Sequence, residues 1–300
     1  MLANFTAADR GLPVAWLVVL FVATLTALVS RRRDLAGTTL LAPWWWALVA
    51  VVSVGTVELA IAARLVGSNW QEAVRYAAAV STLLPSIAVM GAKRPQDRGW
   101  QWIVFSLWAV LVLPGLQTLL YQPGTPLDLH PAWRIFLLLL ILIGCFNTLL
   151  TRYRASGMLL ATGQVALLLS EMPLARSATA WPMTGATLAT ASVVLWAWRF
   201  PPSPRLEPGV DRLWLEFRDW FGSFWALRVM ERFNAAASRY QWPFRLGWHG
   251  LTDAEGHAPP PPIPPDVRRT MNVTLESLLR RFVSKNWITE RLQADRGPAA

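Results

Sequence analysis

Residues 43–65, PWWWALVAVVSVGTVELAIAARL, form an apolar run in which Glu58 is the one charged residue before Arg64. A helix rises about 1.5 Å per residue, so a run of this length crosses the roughly 30 Å hydrocarbon core of a bilayer. Apolar and polar residues do not alternate along it, which argues against a strand of a transmembrane barrel. Because lipid offers no partner for backbone polar groups, the run predicts a transmembrane helix.

Six further segments share this character. The predicted spans are 13–30, 43–65, 73–92, 100–121, 132–150, 155–172 and 178–198. Only 15% of the 300 residues are charged, whereas soluble domains carry about 25%. We therefore predict an all-α fold, a polytopic transmembrane bundle of seven helices with a short cytoplasmic tail of amphipathic helices.

The loops predict the orientation, because basic residues concentrate on the cytoplasmic side of a membrane. One alternating set of connections carries ten basic residues: Arg31, Arg32, Arg33, Lys93, Arg94, Arg98, Arg152, Arg154, Arg199 and Arg205. The other set carries five: Arg10, Arg64, Arg75, Arg134 and Arg176. The split places the N-terminus outside and the C-terminus in the cytoplasm. The preference for arginine over lysine is typical of a GC-rich genome and favours a bacterial cytoplasmic membrane.

The chain divides into four predicted parts. They are a seven-helix transmembrane domain (1–198), a juxtamembrane aromatic amphipathic helix and loop (199–258), a proline-rich linker (259–265) and a C-terminal amphipathic helix and tail (266–300). In the last part, leucines and Phe282 predict one helix near 273–292. Residues 240–250 read as an irregular aromatic segment. The tail is too short and too interrupted for a sizeable core of its own.

The tail begins with an unusually aromatic stretch, 211–240. Its large apolar residues recur at steps of four and three, which places them on one face of a helix. The predicted interface residues on that face are Phe217, Trp220, Phe221, Phe224 and Trp225. Glu216 and Asp219 lie mostly on the opposite face, and Asp211 is positioned to cap the helix start. We expect one amphipathic helix that lies in the membrane interface or docks on the bundle.

Glu58 is the candidate functional residue inside the membrane. A carboxylate there costs several kcal/mol unless it is protonated or paired. The loop after the second span is short, so the third span should return beside it and bring Arg75 within reach; Arg64 is a second candidate partner. The pair predicts either an ion pair that fixes two helices or a site that binds substrate, proton or ion.

The leading functional hypothesis is a non-catalytic membrane scaffold whose tail binds the lipid bilayer or another membrane or cytoplasmic protein. One alternative is a small-molecule or ion transporter that uses Glu58 and Arg75; another is an enzyme acting on a lipid-linked substrate. The seven spans contain no histidine, and Cys145 is the sole cysteine. We therefore expect no metal, no cofactor and no catalytic residue within the spans. The positive charge lies in the loops, so we expect no nucleic-acid partner.

Overall fold

The computed structural model describes residues 7–121, 125–169, 181–199, 209–253, 255 and 263–292, and the structural statements below concern these residues. The chain is mostly helical. The apolar part contains α1 (Ala7–Ser30), α2 (Leu41–Ala62), α3 (Ser68–Ser81), α4 (Leu84–Met90), α5 (Asp97–Tyr121), α6 (Pro131–Leu149), α7 (Arg154–Leu169) and α8 (Trp181–Arg199). The C-terminal part contains α9 (Val210–Arg239), β1 (Phe244–Gly247), β2 (Gly250–Asp253), α10 (Pro265–Leu279) and α11 (Lys285–Leu292).

Four helical stretches are long and apolar enough to cross a membrane. They are α2, α3 together with α4, α5 and α6, with mean hydropathies of 1.4 to 2.0. The apolar parts of α1 and α7 are shorter, at Val14–Ser30 and Arg154–Leu169. The expected end of the sixth span and start of the seventh, within 170–180, lie outside the described residues. Within the described ranges, length and composition thus define four candidate membrane spans.

The third predicted span is broken into α3 and α4. Pro85 stands in the first turn of α4 and cannot donate the backbone hydrogen bond that would continue α3. The buried side chain of Gln164 in α7 donates to the Thr82 carbonyl at 2.8 Å. A backbone carbonyl at the proline break therefore receives its hydrogen bond from a side-chain amide of a neighbouring helix.

Helices α7 and α8 approach closely at two glycines. A side chain at Gly163 would meet the Ala189 backbone nitrogen at 2.9 Å, and one at Gly185 would meet the Gly163 carbonyl oxygen at 2.9 Å. Small residues at such spacing let two helix backbones touch inside a membrane. The face of α8 that carries Gly185 and Ala189 therefore packs against α7 of the same chain.

The C-terminal part differs from the sequence prediction in three ways. The stretch 240–250 was expected to be irregular, but Phe244 and Gly250 begin the two strands of an antiparallel hairpin whose turn is Trp248–His249. The single helix expected at 273–292 is two helices, α10 and α11, because the chain turns at 280–284 to pair with loops of the bundle. Most of the predicted linker, 259–262, lies outside the described residues.

The third difference is a break within the predicted helix 211–240. Gly222 has φ +79° and ψ −179°, a backbone conformation that residues other than glycine scarcely adopt. A Cβ there would also clash with the side-chain amide of Asn147. Asn147, near the end of α6, accepts a hydrogen bond from the Phe224 amide at 3.1 Å. An asparagine of the bundle thus caps the second half of α9 from outside that helix.

Three loops of the bundle bond to the C-terminal part. The Thr39 amide donates to the Phe282 carbonyl (2.9 Å), the Arg94 amide to the Arg281 carbonyl (2.8 Å), and the Trp248 indole to the Leu150 carbonyl (2.9 Å). Loops 31–40, 91–96 and 150–153 therefore share one side of the bundle, which we call the tail side. These are loops in which the sequence concentrates arginine and lysine.

Candidate functional site

Glu58 and Arg75 meet as an ion pair between α2 and α3. The Arg75 Nε lies 3.0 Å from Glu58 Oε1, and Nη2 lies 3.2 Å from Oε2, so both carboxylate oxygens accept a bond. The Glu58 side chain is 10% exposed and that of Arg75 28%. Arg64 is exposed at the end of α2. The fork-to-carboxylate geometry is the strong form of such a pair.

A cavity of about 140 Å³ lies beside Glu58, among α1, α2, α4, α7 and α8. Its lining is almost wholly apolar, and Glu58 is the one ionisable side chain on it among the described residues. Arg75 is not part of the lining. The Glu58 carboxylate therefore lines the cavity and forms its ion pair with Arg75, which lies outside the lining.

A second cavity of about 230 Å³ continues toward the tail side. Four lining residues, Ala47, Pro85, Leu160 and Val193, are common to both cavities. Polar residues join a mainly apolar wall near the tail side: Ser86, Asn147, Thr148, Tyr153, Ser156, Ser192 and Asp219. The Ser156 hydroxyl is buried without a partner in the described part of the chain. The two adjoining cavities are thus both mainly apolar, and the second adds polar groups near the tail side.

The predicted interface residues of the tail lie mostly inside the protein. Phe217 and Phe221 are fully buried and Trp220 is 9% exposed, whereas Phe224 is 47% exposed. Phe217 and Phe221 stack with ring centroids 4.8 Å apart. The Phe282 ring contacts Phe217, Phe221 and Trp225 edge-on at 4.9 to 5.3 Å. The structure brings four of the five together and leaves Phe224 outside.

Charged residues in the first half of α9 are also buried, contrary to the pattern expected of an amphipathic helix. Glu216 is 2% exposed and accepts bonds from Arg291 of α11 and from Arg212 at 3.1 Å. Burial lowers the pKa of Arg291, an effect that Glu216 opposes by favouring the charged form. The Arg291 guanidinium stacks over the Trp287 ring at 3.7 Å. Glu216 therefore joins α11 to α9.

Asp219 is the second buried carboxylate of α9. Its Oδ1 accepts from Arg218 Nη2 at 2.8 Å and from the Arg152 amide at 3.3 Å. Burial raises the pKa of the neighbouring Tyr153 to about 12, and the Tyr153 hydroxyl accepts a bond from Arg152 at 2.7 Å. Both buried carboxylates of α9, Glu216 and Asp219, are thus bonded to arginines, and Asp219 is the one that lines the second cavity among the described residues. Asp211 accepts from the Leu251 amide of the hairpin at 2.6 Å and does not cap α9.

The sequence pointed to Glu58 and Arg75, and to Asn147 as an interhelical hydrogen-bonding residue, but not to Glu216, Asp219 and Arg291 as buried ion-pair residues. The available signal was the presence of several charges within a helix otherwise dense in tryptophan and phenylalanine. In the described part of the chain, no group of three histidine, cysteine or acidic residues is placed to hold a metal ion. Comparison with protein-family models, with curated proteins and with solved structures found no match.

Proposed function

We propose that this protein is a multi-pass integral membrane protein that binds the hydrocarbon chain of a membrane amphiphile within its helix bundle. The observation that carries the proposal is the pair of adjoining cavities, both mainly apolar, in which polar groups increase from the end beside Glu58 to the end near Asp219. Together they exceed the roughly 300 Å³ at which ligand pockets begin. An amphiphile matches this gradient, because its chain is apolar and its head carries hydrogen-bonding groups.

The proposed topology has seven helices crossing the membrane, with the tail side in the cytoplasm of a bacterial cell. The grouping of loops 31–40, 91–96 and 150–153 with the C-terminal part supports it, since the positive-inside rule gives these loops one location. The bilayer is then also a partner at the surface. Phe224 and Leu227, 47% and 46% exposed in the second half of α9, would lie at the headgroup level.

The scaffold hypothesis now requires a different binding surface on the tail. Most of the aromatic face proposed for a partner is occupied by α10, α11 and the hairpin, so a protein partner would use Phe224 and Leu227 with neighbouring polar residues. We further propose that the protein binds the lipid without catalysing a reaction on it. The acidic groups at the cavity, Glu58 and Asp219, each hold an arginine, and a general acid or base would have to be released from that bond.

Photo-crosslinking tests the proposal. A phospholipid with a diazirine in its acyl chain is incorporated with the purified full-length protein, and labelled peptides are identified by mass spectrometry. We expect labels on α2, α7 and α8 residues of the cavities. Ala47→Phe places a ring where the two cavities join and should reduce this labelling at least fivefold. Ala109→Phe, an equal substitution on the exposed face of α5, is the control.

The outcome that would contradict the proposal is labelling confined to outward-facing residues such as Ile103 and Phe105 and unaffected by Ala47→Phe. Both residues are about half exposed on α5 and would meet any surrounding lipid. Such a result would mean that chains surround the bundle but do not enter it.

Transport through Glu58 is the second candidate function, favoured by the position of its carboxylate on the cavity wall. A proton or cation that displaces Arg75 would change the charge of the cavity. Proteoliposomes would be assayed for uptake of a small molecule or ion that depends on a proton gradient. Loss of this uptake in Glu58→Gln, with the protein still folded, would support this function. Unchanged uptake in Glu58→Gln would exclude the residue from transport.

A further inference from the structure

A polar groove opens on the tail side just beyond the end of α1. It is formed by the loop after Ser30 and by α11, and Trp220 of α9 lies on its wall. The lining includes Arg31, Arg33, Asp34, Trp287, Glu290 and Arg291. Trp220 also lines the cavity on the tail side of the bundle. The groove and the inner cavity therefore adjoin at one tryptophan.

Two buried donors of the groove lack an acceptor. The Trp287 indole N–H is inaccessible in a residue that is 4% exposed, and it has no hydrogen-bond partner in the described part of the chain. The Nε of Arg31 is also inaccessible and without a partner there. Buried donors are nearly always satisfied in folded proteins. Two of them in one groove indicate a missing acceptor.

The charges of the groove favour an anion at its inner wall. Arg31, Arg33 and Arg291 contribute positive charge. Arg31 pairs with Asp34 at 3.4 Å and Arg291 with Glu290 at 3.6 Å, and in each pair the carboxylate is the more exposed partner, at 44% and 74%. Arg291 is held in place by Glu216, and its guanidinium also lies 5.3 Å from the centre of the Trp220 ring. A tetrahedral phosphate offers the several acceptor oxygens that such a set of N–H donors can bind.

We infer that this groove binds the phosphate of an anionic phospholipid from the leaflet on the tail side. The position supports a lipid as the source, because Arg31 follows directly on the apolar helix Val14–Ser30 and so lies at headgroup depth. The inference rests on the proposed function, in that a chain of the same lipid would enter the adjoining cavity past Trp220.

The experiment measures lipid binding to the full-length protein by native mass spectrometry. The probes are dioctanoyl-phosphatidylglycerol, dioctanoylglycerol without phosphate, and inorganic phosphate as competitor. Trp287→Phe removes the N–H and keeps an aromatic ring; Arg33→Gln removes an exposed charge with little effect on folding. The controls are Trp242→Phe and Arg239→Gln, which lie outside the groove.

We expect Trp287→Phe and Arg33→Gln each to weaken phosphatidylglycerol binding three- to tenfold, while both controls bind like the unmodified protein. Dioctanoylglycerol should bind at least tenfold more weakly than phosphatidylglycerol. Equal affinity for the two lipids, or no effect of either groove variant, would overturn the inference. Displacement of the lipid by millimolar inorganic phosphate would show a site for free anions and would overturn the assignment to a lipid.

Failure of the inference and failure of the proposed function give different results. If Ala47→Phe blocks chain crosslinking but the groove variants bind phosphatidylglycerol normally, the cavity holds a chain and the groove does not hold the head. If the groove variants lose binding but Ala47→Phe changes nothing, the head is bound at the surface and the chain stays in the bilayer.

Discussion

Arg291, in the last described helix, donates a hydrogen bond to Glu216, which lies 75 residues earlier in α9, and both side chains are at least 90% buried. This ion pair joins the end of the chain to the helix that packs on the bundle. Because α9 also bonds to Asn147, Arg152 and Val89, the C-terminal part and the bundle form a continuous packed unit.

Breaking this pair should loosen the C-terminal part. Removing one partner of a buried ion pair typically costs about 3–5 kcal/mol, and the loss of Arg291 should cost less than this because Glu216 keeps Arg212 at 3.1 Å. We expect Arg291→Met to lower the thermal unfolding temperature in detergent and to expose α11 to limited proteolysis. Glu290→Gln removes the more exposed carboxylate near Arg291 and is the matched control, with a change within about 0.5 kcal/mol. Normal protease resistance in Arg291→Met would contradict this role.

The Glu58–Arg75 pair should show energetic coupling. Glu58→Gln and Arg75→Gln should each reduce stability by on the order of 2 kcal/mol, since each removes charge-assisted hydrogen bonds. The double mutant should be less destabilised than the sum of the single mutants, by about 1 kcal/mol or more. Strict additivity of the three melting shifts would show that the two side chains are not coupled.

Gly222 should tolerate no side chain. Alanine would have to hold a backbone conformation that costs on the order of 1–3 kcal/mol, and its Cβ would collide with Asn147. We expect Gly222→Ala to lower the melting temperature strongly. Gly99→Ala is the control, because Gly99 lies in α5 with open space where its Cβ would be; there alanine should be neutral or stabilising by about 0.5–1 kcal/mol. Equal melting of the two variants would argue against the break in α9.

Alkaline pH should weaken the packing around Tyr153. Its pKa is raised from 10.0 to about 12 by burial, so the folded state holds the phenolic proton more tightly than the unfolded state. This contribution is fully present below pH 10 and is lost as the pH rises toward 12. The unmodified protein should therefore lose about 2–3 kcal/mol more than Tyr153→Phe across that range. Parallel stability curves for the two proteins would contradict the assignment.

The topology can be measured with reporter fusions. Fusions after residues 34, 98, 154 and 200 should all report the cytoplasm, since these positions follow the basic clusters on the proposed inner side. A fusion after residue 66, between α2 and α3, should report the outside. An external signal at any of the first four positions would overturn the proposed map.

The sequence by itself determined which segments are apolar helices and where arginines gather, because both depend on the local composition of the chain. It also indicated the contact of Glu58 with Arg75, since a short loop and the cost of an unpaired carboxylate leave few arrangements. The aromatic face of 211–240 was visible as a helical repeat, and its burial was among the expected outcomes.

Only the tertiary structure decided that α9 breaks at Gly222, that 244–253 forms a hairpin and that α10 and α11 are separate. Each of these depends on a partner distant in sequence: Asn147 for the break, Trp214 for the hairpin, and the loops at Thr39 and Arg94 for the turn between α10 and α11. The burial of Glu216 depends likewise on Arg291, 75 residues away, and the buried Asp219 accepts a bond from the backbone amide of Arg152, 67 residues away, besides those from its neighbour Arg218. A helical repeat reports which residues share a face, but it does not report what packs against the opposite face. A charged face is therefore read as solvent-exposed until the fold supplies counter-ions for it.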